Sequence, residues 1–435
     1  MRIHIKSMGC RLNEAEAEGW ADKFSAVNHQ ITRMSGDAQV IVFNSCAVTQ
    51  QAVRSSRQAI RRLQRETPTA KIVATGCYAS LHPEEAAELG VDLVVNNKDK
   101  DQLAEIVSRE LALTSMPEAA TLPSETSLFA RGRQRAFIKV QDGCRYRCTY
   151  CIVTLARGDE RSRPIAEIVA QVQALADSGV QEVVLTGVHL GGYGSDLDCH
   201  LYDLIRAVLD DTDIPRIRFG SLEPWDLPKN FFALFADQRL MPHLHLPLQS
   251  GCDSVLRRMS RRCKTDDFRG LVESVRAEVP NINITTDIIV GFPGETDEEW
   301  AQSLDYVRSV GFGHCHIFSY SPRAGTKAAR LPNTVHKEIK KQRSQQLHAL
   351  AEQMKLDTFK RHLGQDMDIL LEGDGEHAVD GTTRYSGYTP NYLRVSVEVD
   401  DKSKPSNQIV RASLESINPD GTNVVAKALG DVALV

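Results

Sequence analysis

The stretch "QDGCRYRCTYCIV", residues 141–153, contains three cysteines, Cys144, Cys148 and Cys151, with three and then two residues between them. In an intracellular chain this spacing indicates a metal site rather than disulfides. An iron–sulfur cubane held by three thiolates keeps one iron open for a substrate or cofactor. Zinc bound by three Cys and one His is the alternative, but no His lies within ten residues of Cys151. The stretch therefore predicts a metal site that is one protein ligand short.

Three further cysteines occupy equivalent positions in the first part of the chain. The runs "IHIKSMGC", "VIVFNSC" and "KIVATGC" are each an apolar run followed by small residues, and they end at Cys10, Cys46 and Cys77. If the runs are parallel strands, their carboxyl ends lie along one sheet edge and the three thiols converge there. Thiols at such an edge oxidise unless they are ligated. The pattern predicts a second site with three thiolate ligands.

The sequence divides into three modules and a linker. Residues 1–112 alternate short apolar runs with helical patterns, which is typical of a doubly wound parallel sheet. Residues 113–134 have no period and contain Pro, Ser and Thr, so we predict a linker. Residues 135–363 repeat six β/α units and end in a long connecting helix, which predicts an incomplete (β/α)6 barrel. Residues 364–435 hold five short candidate strands, as in a small all-β barrel of OB type.

The same patterns place individual elements. We expect every barrel strand except the last to be followed by a helix, with helices over 164–178, 200–210 and 297–310 and the connecting helix within 335–362. In the last module we expect the second strand at "EHAVDG", residues 376–381.

Bulk composition narrows the class of protein. The chain has 435 residues and a net charge of −5, which argues against wide non-specific binding of nucleic acid. No signal segment opens the sequence and nowhere do eighteen apolar residues run together, so we expect no membrane span. We expect a cytoplasmic protein, in which the ten cysteines are metal ligands, catalytic groups or small apolar side chains.

The first cysteine stretch resembles the motif of the radical S-adenosylmethionine (SAM) superfamily, including the aromatic Tyr150 just before the last Cys. Its place after the first strand of a β/α barrel also matches that superfamily. The resemblance implies that Cys144, Cys148 and Cys151 hold a [4Fe–4S] cluster whose open iron binds SAM, with Tyr150 beside the cofactor. It also implies that one electron splits SAM into methionine and a 5′-deoxyadenosyl radical.

Two ligand-deficient clusters, one on an α/β module and one on a barrel followed by a small β-barrel, resemble the methylthiotransferase family over essentially the whole chain. The resemblance implies that the cluster on Cys10, Cys46 and Cys77 holds the sulfur to be transferred, while the barrel cluster makes the radical. It implies that 364–435 is a TRAM domain that binds RNA. SAM is then used twice, once for the methyl group and once for the radical, and a low-potential electron donor is implied.

Members of this family differ in substrate. The strings "GCRLNEAEAE", "RIRFGSLEP" and "GYTPNYLRV" look most like those of members that act on N6-threonylcarbamoyladenosine at position 37 of tRNA. Isopentenyl-modified adenosine in tRNA and an aspartate of a ribosomal protein stay open as alternative substrates. From another class, a non-catalytic iron–sulfur electron carrier with an RNA-binding module is the alternative, although such carriers normally give every iron its full set of ligands.

Polar and small residues lie at the predicted ends of the barrel strands, on the side where β/α barrels keep their chemistry. The resemblance implies that they contact the methionine group, ribose and adenine of SAM. These residues are Thr186, Gly187, Ser221, Glu223, Gln249 and Gly291. Taken singly, each is also typical of a turn.

An arginine stripe follows the second cysteine of the N-terminal module. In "VRSSRQAIRRLQR", arginines recur every three or four residues while Val53, Ile60 and Leu63 take the opposite face of the helix. The arginines are Arg54, Arg57, Arg61 and Arg65. Because the helix begins just after Cys46, the stripe is suited to a phosphate backbone beside that site. A solvated helix face is the alternative.

The C-terminal module is acidic, with a formal charge of −6 over residues 364–435. Since RNA binding usually profits from positive potential, contact with tRNA there would depend on Tyr385, Tyr388 and Tyr392 stacking on bases. Packing in turns and strands is the other interpretation of these tyrosines.

Four histidines alternate along two barrel strands and therefore share a face. They are His243, His245, His314 and His316. A third metal site and pocket histidines are both possible interpretations, and the spacing places no carboxylate or Cys with them.

Overall fold

The computed structural model describes residues 1–113, 135–228, 230–377, 382–400 and 406–429. Its fold is α/β, with an N-terminal parallel sheet, six parallel strands of β/α type and a closed C-terminal β-barrel, so the predicted fold class is confirmed. The linker predicted at 113–134 lies outside the described residues except for its first one, and the module boundaries stay predictions.

The N-terminal sheet consists of β1 (Arg2–Ser7), β2 (Gln30–Ile31), β3 (Val40–Ser45), β4 (Lys71–Thr75) and β5 (Leu93–Val94). The strands are parallel in the order β2-β1-β3-β4-β5. The helices of this part are α1 (Arg11–Ala26), α2 (Gln50–Glu66), α3 (Gly76–Leu81), α4 (Pro83–Glu88) and α5 (Leu103–Glu110). The short edge strand β2 is the one the sequence pattern did not predict.

The sheet is buried on both faces, which explains its continuous apolar runs. Successive residues of β3 point to opposite sides, so Val40 and Val42 join the core that contains α1 and α5, while Ile41 and Phe43 join the core that contains α2. A strand with apolar neighbours on both faces gains no stability from alternating polar residues.

The central part begins at β6 (Arg135–Lys139). Its other strands are β7 (Gln141–Asp142), β8 (Arg161–Ser162), β9 (Glu182–Thr186), β10 (Arg216–Phe219), β11 (His243–His245), β12 (Asn283–Val290) and β13 (His314–Ser319). Its helices are α6 (Val153–Arg157), α7 (Ile165–Asp177), α8 (Leu201–Asp211), α9 (Asp253–Arg258), α10 (Thr265–Glu278) and α11 (Asp297–Val310). The three helices predicted here match α7, α8 and α11 to within one residue at each end.

The six principal strands form an incomplete barrel. They make two parallel sheets, β10-β9-β6 and β11-β12-β13, and single parallel bridges join Ile217 to Leu240 and Ser221 to His245 across the gap between them. Within the described part of the chain β6 and β13 do not pair, so the barrel is open along that side. One large apolar core fills the space between the strands and the outer helices.

One expected barrel helix is wrong. After β10 the chain forms a 3₁₀ helix, Phe231–Ala236, instead of an α-helix. Asn230 immediately before it has a left-handed φ of +66°, and the buried side chains Phe231 and Leu234 are three residues apart, which is the spacing that aligns in a 3₁₀ turn.

Local capping explains why α11 begins and ends where it does. The Thr296 hydroxyl accepts from the Glu299 backbone N–H at 3.2 Å, and the Glu299 carboxylate accepts from the Thr296 N–H at 3.1 Å, which is a capping box. Gly311 stops the helix in a left-handed conformation with φ +66°.

The long helix α12 (Lys337–His362) leads into the C-terminal barrel. The strands are β14 (Asp366–His377), β15 (Thr382–Tyr388), β16 (Arg394–Asp400), β17 (Ile409–Ile417) and β18 (Val424–Ala428). They close in the order β14-β15-β16-β18-β17, antiparallel except for the parallel pair β16–β18. Five strands were expected, and five are present among the described residues.

The second of these strands was placed wrongly from the sequence. Glu376 and His377 end β14, residues 378–381 lie outside the described residues, and β15 begins only at Thr382. Gly373 and Gly375, with φ of +77° and +75°, do not end β14; the register of the β14–β15 pair shifts beside them. A glycine inside a strand pattern therefore marks an irregularity here rather than a boundary.

All three parts meet at the barrel. Ala15 of α1 packs on Phe137 and Val184, two side chains of β6 and β9. From the other end, Arg218 makes a bidentate ion pair with Glu182 at 2.8 and 3.0 Å and donates to the carbonyl of Pro390 at 3.0 Å. In the described ranges we find no helix long and apolar enough to span a bilayer.

Candidate metal centres

The N-terminal cysteines converge at the carboxyl edge of the sheet. Cys10 directly precedes α1, Cys46 follows β3, and Cys77 lies in the first turn of α3 after β4. The strands β1, β3 and β4 that lead to them are neighbours in the sheet. Burial, together with the nearby thiols of Cys77 and Cys10, raises the pKa of Cys46 to about 11. The three sulfurs are therefore within electrostatic reach of one another.

Glycine is needed where the Cys10 loop approaches Cys46. Gly9 has a φ of +118°, and a Cβ added there would lie 2.9 Å from the Cys46 Cβ and 3.0 Å from its Sγ. A larger residue would push the two cysteine segments apart.

The barrel cysteines share one loop between β7 and α6. The Cys151 N–H donates to the Cys148 carbonyl at 3.0 Å, and the Cys144 N–H donates to the Gly158 carbonyl at 3.1 Å. Burial raises the pKa of Cys144 to about 12 and that of Cys151 to about 11, and in both cases the Cys148 thiol adds to the shift. In the absence of a metal ion, buried thiols close to one another favour the protonated form. A bound metal instead stabilises the thiolate, which is the ligand form.

A buried arginine lies between the two sets of cysteines, and spacing did not reveal it. The guanidinium of Arg157, 2% exposed, donates to Glu16 at 2.9 Å, to Asp142 at 2.9 Å and to Asn13 at 2.8 Å. Burial alone would lower the pKa of Arg157, but these acids and the thiols of Cys10 and Cys77 raise it well above its usual range. No sequence signal marked this residue, because its partners come from α1 and β7.

The helix α6 joins the two sites directly. Ala156 of α6 lies in the same apolar cluster as Cys77, and its carbonyl accepts from the Asn97 side chain at 2.7 Å. The same Asn97 amide lies 3.9 Å from the Cys77 sulfur. The turn of chain that follows Cys151 is therefore also part of the wall around Cys77.

Two more arginines approach the thiols. An Nη atom of Arg261 lies 3.9 Å from the Cys148 sulfur, and its guanidinium stacks on Trp225 at 4.3 Å. Arg323 is buried, its Nε has no hydrogen-bond partner in the described part of the chain, and its charge interacts with Cys46. Both sites thus combine three thiols with a buried cation, a donor set that fits an anionic metal–sulfur cluster.

The residues that the resemblance assigned to SAM line the carboxyl end of the barrel strands. Glu223 is the one best suited to a polar ligand: burial raises its pKa, and its Oε2 has no hydrogen-bond partner among the described residues. Thr186 ends β9, Gly187 follows it, and Ser221 bridges to His245. Tyr150 packs on the apolar cluster of Phe292 and Tyr320.

Gln249 and Gly291 are placed by backbone requirements. Gln249 has φ +76°, and its N–H and C=O bond to Asp287 and Ile289 of β12. Gly291 has φ +73°, a side chain there would meet Lys340, and its N–H donates to Glu295 at 2.9 Å. Their assignment to the cofactor stays a prediction.

A histidine that the sequence pattern missed lies beside Cys144. His189 Nδ1 is 2.5 Å from Glu160 and its Nε2 is 2.7 Å from Asp226. Ligand atoms of Cys144, Glu160 and His189 lie within 4.8 Å of one another. This is the histidine that a zinc site would need, but both of its ring nitrogens are already held by carboxylates.

The arginine stripe is only partly available. Val53, Ile60 and Leu63 of α2 are buried as predicted. Arg54, Arg61 and Arg65 are exposed on the other face. Arg57 instead pairs with Glu85 and lies 6.0 Å from the Tyr78 ring, so three of the four arginines remain suited to phosphate, and their role stays a prediction.

The tyrosines of the C-terminal module contact protein. Tyr385 is buried in the barrel core. Tyr388 and Tyr392 stack on each other at 4.6 Å, and the guanidinium of Arg135 lies 4.6 Å from the Tyr388 ring. Arg218 lies 4.6 Å from the Tyr392 ring. Their packing roles leave little ring surface for bases.

The histidine pairs face the barrel interior, and there the structure adds the carboxylate that spacing did not place. His245 Nε2 lies 3.2 Å from Asp287 Oδ1, and one ligand atom each of His245, Asp287 and His316 lie within 4.8 Å. His243 is buried against Thr285, and burial lowers the pKa of His314 to about 4. The group has the composition of a metal site, and equally of a polar wall around a substrate.

Comparison with known proteins gives two family matches. The Radical SAM superfamily matches residues 138–307, and the family described as uncharacterized protein family UPF0004 matches residues 2–120. The first match contains the barrel cysteines and the second contains Cys10, Cys46 and Cys77.

Curated relatives cover most of the chain. The threonylcarbamoyladenosine tRNA methylthiotransferase MtaB of Thermotoga maritima is 35% identical, over 90% of this chain and 90% of that protein. The protein of the same name from Bacillus subtilis is 33% identical, over 90% and 89%. The tRNA-2-methylthio-N(6)-dimethylallyladenosine synthase of Bacillus pumilus is 33% identical, over 86% and 77%.

A solved structure shows the same fold. The radical S-adenosylmethionine methyltransferase TsrM from Kitasatospora setae superposes with a TM-score of 0.57 at 15% identity, covering 75% of this chain and 74% of that one.

Proposed function

Because this chain belongs to the methylthiotransferase family of the radical SAM superfamily, we propose that it converts N6-threonylcarbamoyladenosine at position 37 of tRNA to the 2-methylthio derivative. The observation that carries the proposal is that both cysteine trios adjoin α6: Cys77 shares an apolar cluster with Ala156 of this helix, and Cys151 lies two residues before it. A carbon–hydrogen bond on an aromatic ring has no acidic proton, so sulfur insertion there needs a radical and a sulfur donor within reach of one substrate.

The cofactors are two [4Fe–4S] clusters and SAM. Cys144, Cys148 and Cys151 would hold the first cluster, and Cys10, Cys46 and Cys77 the second. When bound, these groups supply the 5′-deoxyadenosyl radical, the methyl group and the sulfur, with one SAM used for the radical and another for the methyl group.

The chain's own residues position and shield this chemistry. Arg157 fixes α6 against α1 through Glu16 and Asn13, so the two thiol sets keep one spacing. Arg261 and Arg323 place positive charge beside Cys148 and Cys46, and this charge complements that of an anionic metal–sulfur cluster. The Glu223 Oε2, which lies 3.8 Å from His189 Nε2 and has no hydrogen-bond partner among the described residues, is placed to accept a hydrogen bond from a cationic or hydroxyl group of SAM.

Two features of the reaction are proposed without a residue assigned to them. A low-potential electron donor must reduce the barrel cluster, and the tRNA substrate places the reaction in the cytoplasm.

The exposed Arg54, Arg61 and Arg65 are proposed to contact the phosphate backbone of tRNA near Cys46.

The isopentenyl substrate is the second candidate, because the relative that acts on dimethylallyladenosine is 33% identical, close to the 35% of the threonylcarbamoyl relative. An aspartate of a ribosomal protein has no comparable support among the relatives named above. A non-catalytic electron carrier would leave both trios one ligand short for no purpose, and it would not cleave SAM when reduced.

Nucleoside analysis of tRNA separates these candidates. In a strain that lacks the gene, we expect the 2-methylthio derivative of N6-threonylcarbamoyladenosine to disappear and its unmethylthiolated precursor to accumulate, as measured by mass spectrometry of digested tRNA. A plasmid copy should restore the product, and a copy with Cys148→Ala should not. Loss of the methylthio-isopentenyl nucleoside with the threonylcarbamoyl product intact would contradict the proposal.

A further inference from the structure

A cavity of about 590 Å³ lies where the three modules meet. Its wall includes Arg11 of α1, the inward side chains of the barrel strands, Lys355 of α12, and Tyr388 and Arg394 of the C-terminal barrel. Its volume is within the range of small-ligand sites, which is about 300–1,000 Å³.

The charge of this wall is one-sided. Five cations and four histidines line the cavity, and none of the described residues that line it is Asp or Glu. The cations are Arg11, Arg135, Arg218, Lys355 and Arg394. The nearest carboxylate already described, Asp287, does not line the cavity but lies 3.2 Å from the lining His245. In a chain with a net charge of −5, a lining of five cations without a carboxylate favours an anionic ligand.

Most of these cations are already paired outside the cavity wall. Arg218 is held by Glu182 and Arg135 by Glu372. Lys355 pairs with Glu352 on its own helix, and Arg11 pairs with Glu14 at 3.0 Å.

Arg394 is different. Its side chain is exposed, and it makes no ion pair or hydrogen bond with any residue that the structure describes. It stands opposite Tyr388 in the β15–β16 register. The other arginines of this module pair with acids of the module itself, Arg384 with Glu398 and Arg411 with Asp368. Arg394 is therefore the cation of this wall that is available to a ligand.

The cavity also reaches a residue next to Cys10 and a residue at the carboxyl end of a barrel strand. Arg11, which follows Cys10 in the chain, and Ser221, at a barrel strand end, both belong to its wall. His314 and His316 add ring nitrogens, and the lowered pKa of His314, about 4, keeps that ring neutral because it is buried. Arg394, Arg11 and Ser221 thus belong to one cavity wall.

We propose that this cavity binds an anionic oxygen group of the substrate RNA through Arg394, so that the acidic C-terminal module contributes one cation aimed at the active region. The inference rests on the proposed function. Two groups of that substrate share this chemistry, the carboxylate of the threonyl substituent and the phosphate of an adjacent nucleotide. An isopentenyl group has no charge, so binding of the carboxylate would also select the substrate.

Binding of anticodon stem-loop RNAs by the full chain tests the proposal. With Arg394→Gln we expect the Kd of a stem-loop that carries N6-threonylcarbamoyladenosine to rise by about tenfold or more, as expected for loss of a charge-assisted hydrogen bond. If the anion is the carboxylate, the Kd of the same stem-loop with unmodified adenosine stays unchanged. If it is a phosphate, both Kd values rise equally and the slope of log Kd against log salt falls by about 0.7, as for one phosphate contact in a single strand.

Arg384→Gln is the matched control, because it also removes one exposed arginine from the same β-barrel. Equal binding by wild type and Arg394→Gln for both RNAs, or equal weakening by Arg384→Gln, would overturn the inference and leave the proposed function standing. If the wild-type protein binds neither stem-loop, the proposed function fails with it. Unchanged thermal unfolding of both variants shows that the fold is intact.

Discussion

Replacing Cys148 by alanine should abolish both SAM cleavage and methylthio transfer, whereas replacing Cys77 by alanine should abolish the transfer alone. In the proposed arrangement each cubane has three protein ligands, so losing one thiolate would leave two, too few to hold a stable cluster. In the proposed mechanism the barrel cluster makes the radical, and Cys77, which packs in the apolar cluster of Ala156, is not one of its ligands. The measurement is formation of 5′-deoxyadenosine and of methylthiolated nucleoside by the reduced, reconstituted variants, with decreases of at least about 10²-fold where loss is expected.

Cys315→Ala is the control for these variants. Cys315 is buried in the main barrel core among apolar side chains, so its loss should leave both reactions near wild type. If Cys77→Ala loses SAM cleavage as fully as Cys148→Ala, the division of labour between the two trios is wrong. If Cys77→Ala still transfers the methylthio group, Cys77 is not a ligand of the sulfur-bearing cluster.

Replacing Arg157 by methionine should destabilise the protein by about 2–3 kcal/mol, because it removes the guanidinium that bonds to two buried acids and leaves them with more distant or fewer cations. Glu16 and Asp142 are 1% and 4% exposed and both bond to Arg157 at 2.9 Å. Burial alone would raise the pKa of Glu16, but Arg157, followed by Lys100 and Lys139, holds it well below its usual range. The acid is therefore charged at neutral pH, and removing the arginine leaves it with Lys100 at 2.7 Å and Lys139 at 3.9 Å as its remaining cations.

Thermal unfolding of the cluster-free protein measures this effect, and we expect Tm to fall by about 2–3 °C for a chain of this length. Arg161→Met is the matched control: its guanidinium is 44% exposed and lies 3.9 Å from the same Asp142, so its loss should cost less than about 1 kcal/mol. Equal shifts for the two variants would show that Arg157 does not anchor α6 as described.

The parts of the fold that the sequence predicted are those that local pattern controls. Apolar runs predicted β1, β3 and β4 because both faces of that sheet are buried, and the equal offset of Cys10, Cys46 and Cys77 from these strands predicted that the thiols meet. The helical period of apolar residues located α7, α8 and α11, because each of these helices buries one face in the barrel core. One error arose at 231–236, where the chain forms a 3₁₀ helix. The other, the strand placed at 376–381, arose because β14 continues past Gly373 and Gly375 to His377.

The site residues that the sequence did not reveal depend on contacts between distant segments. Arg157 is recognisable only when α1 and β7 are brought to it, and His189 only when Glu160 and Asp226 enclose it. Asp287 joins His245 across two neighbouring strands, and no spacing along the chain encodes that pairing. Such groups follow from the tertiary fold rather than from any single motif.

Iron analysis of the reconstituted protein tests the two-cluster arrangement most directly. After anaerobic reconstitution with iron and sulfide, we predict about eight irons per polypeptide, and about four in either a Cys148→Ala or a Cys77→Ala variant. About four irons in the wild-type protein, with one of the two variants unchanged from it, would contradict the presence of a cluster at each cysteine trio.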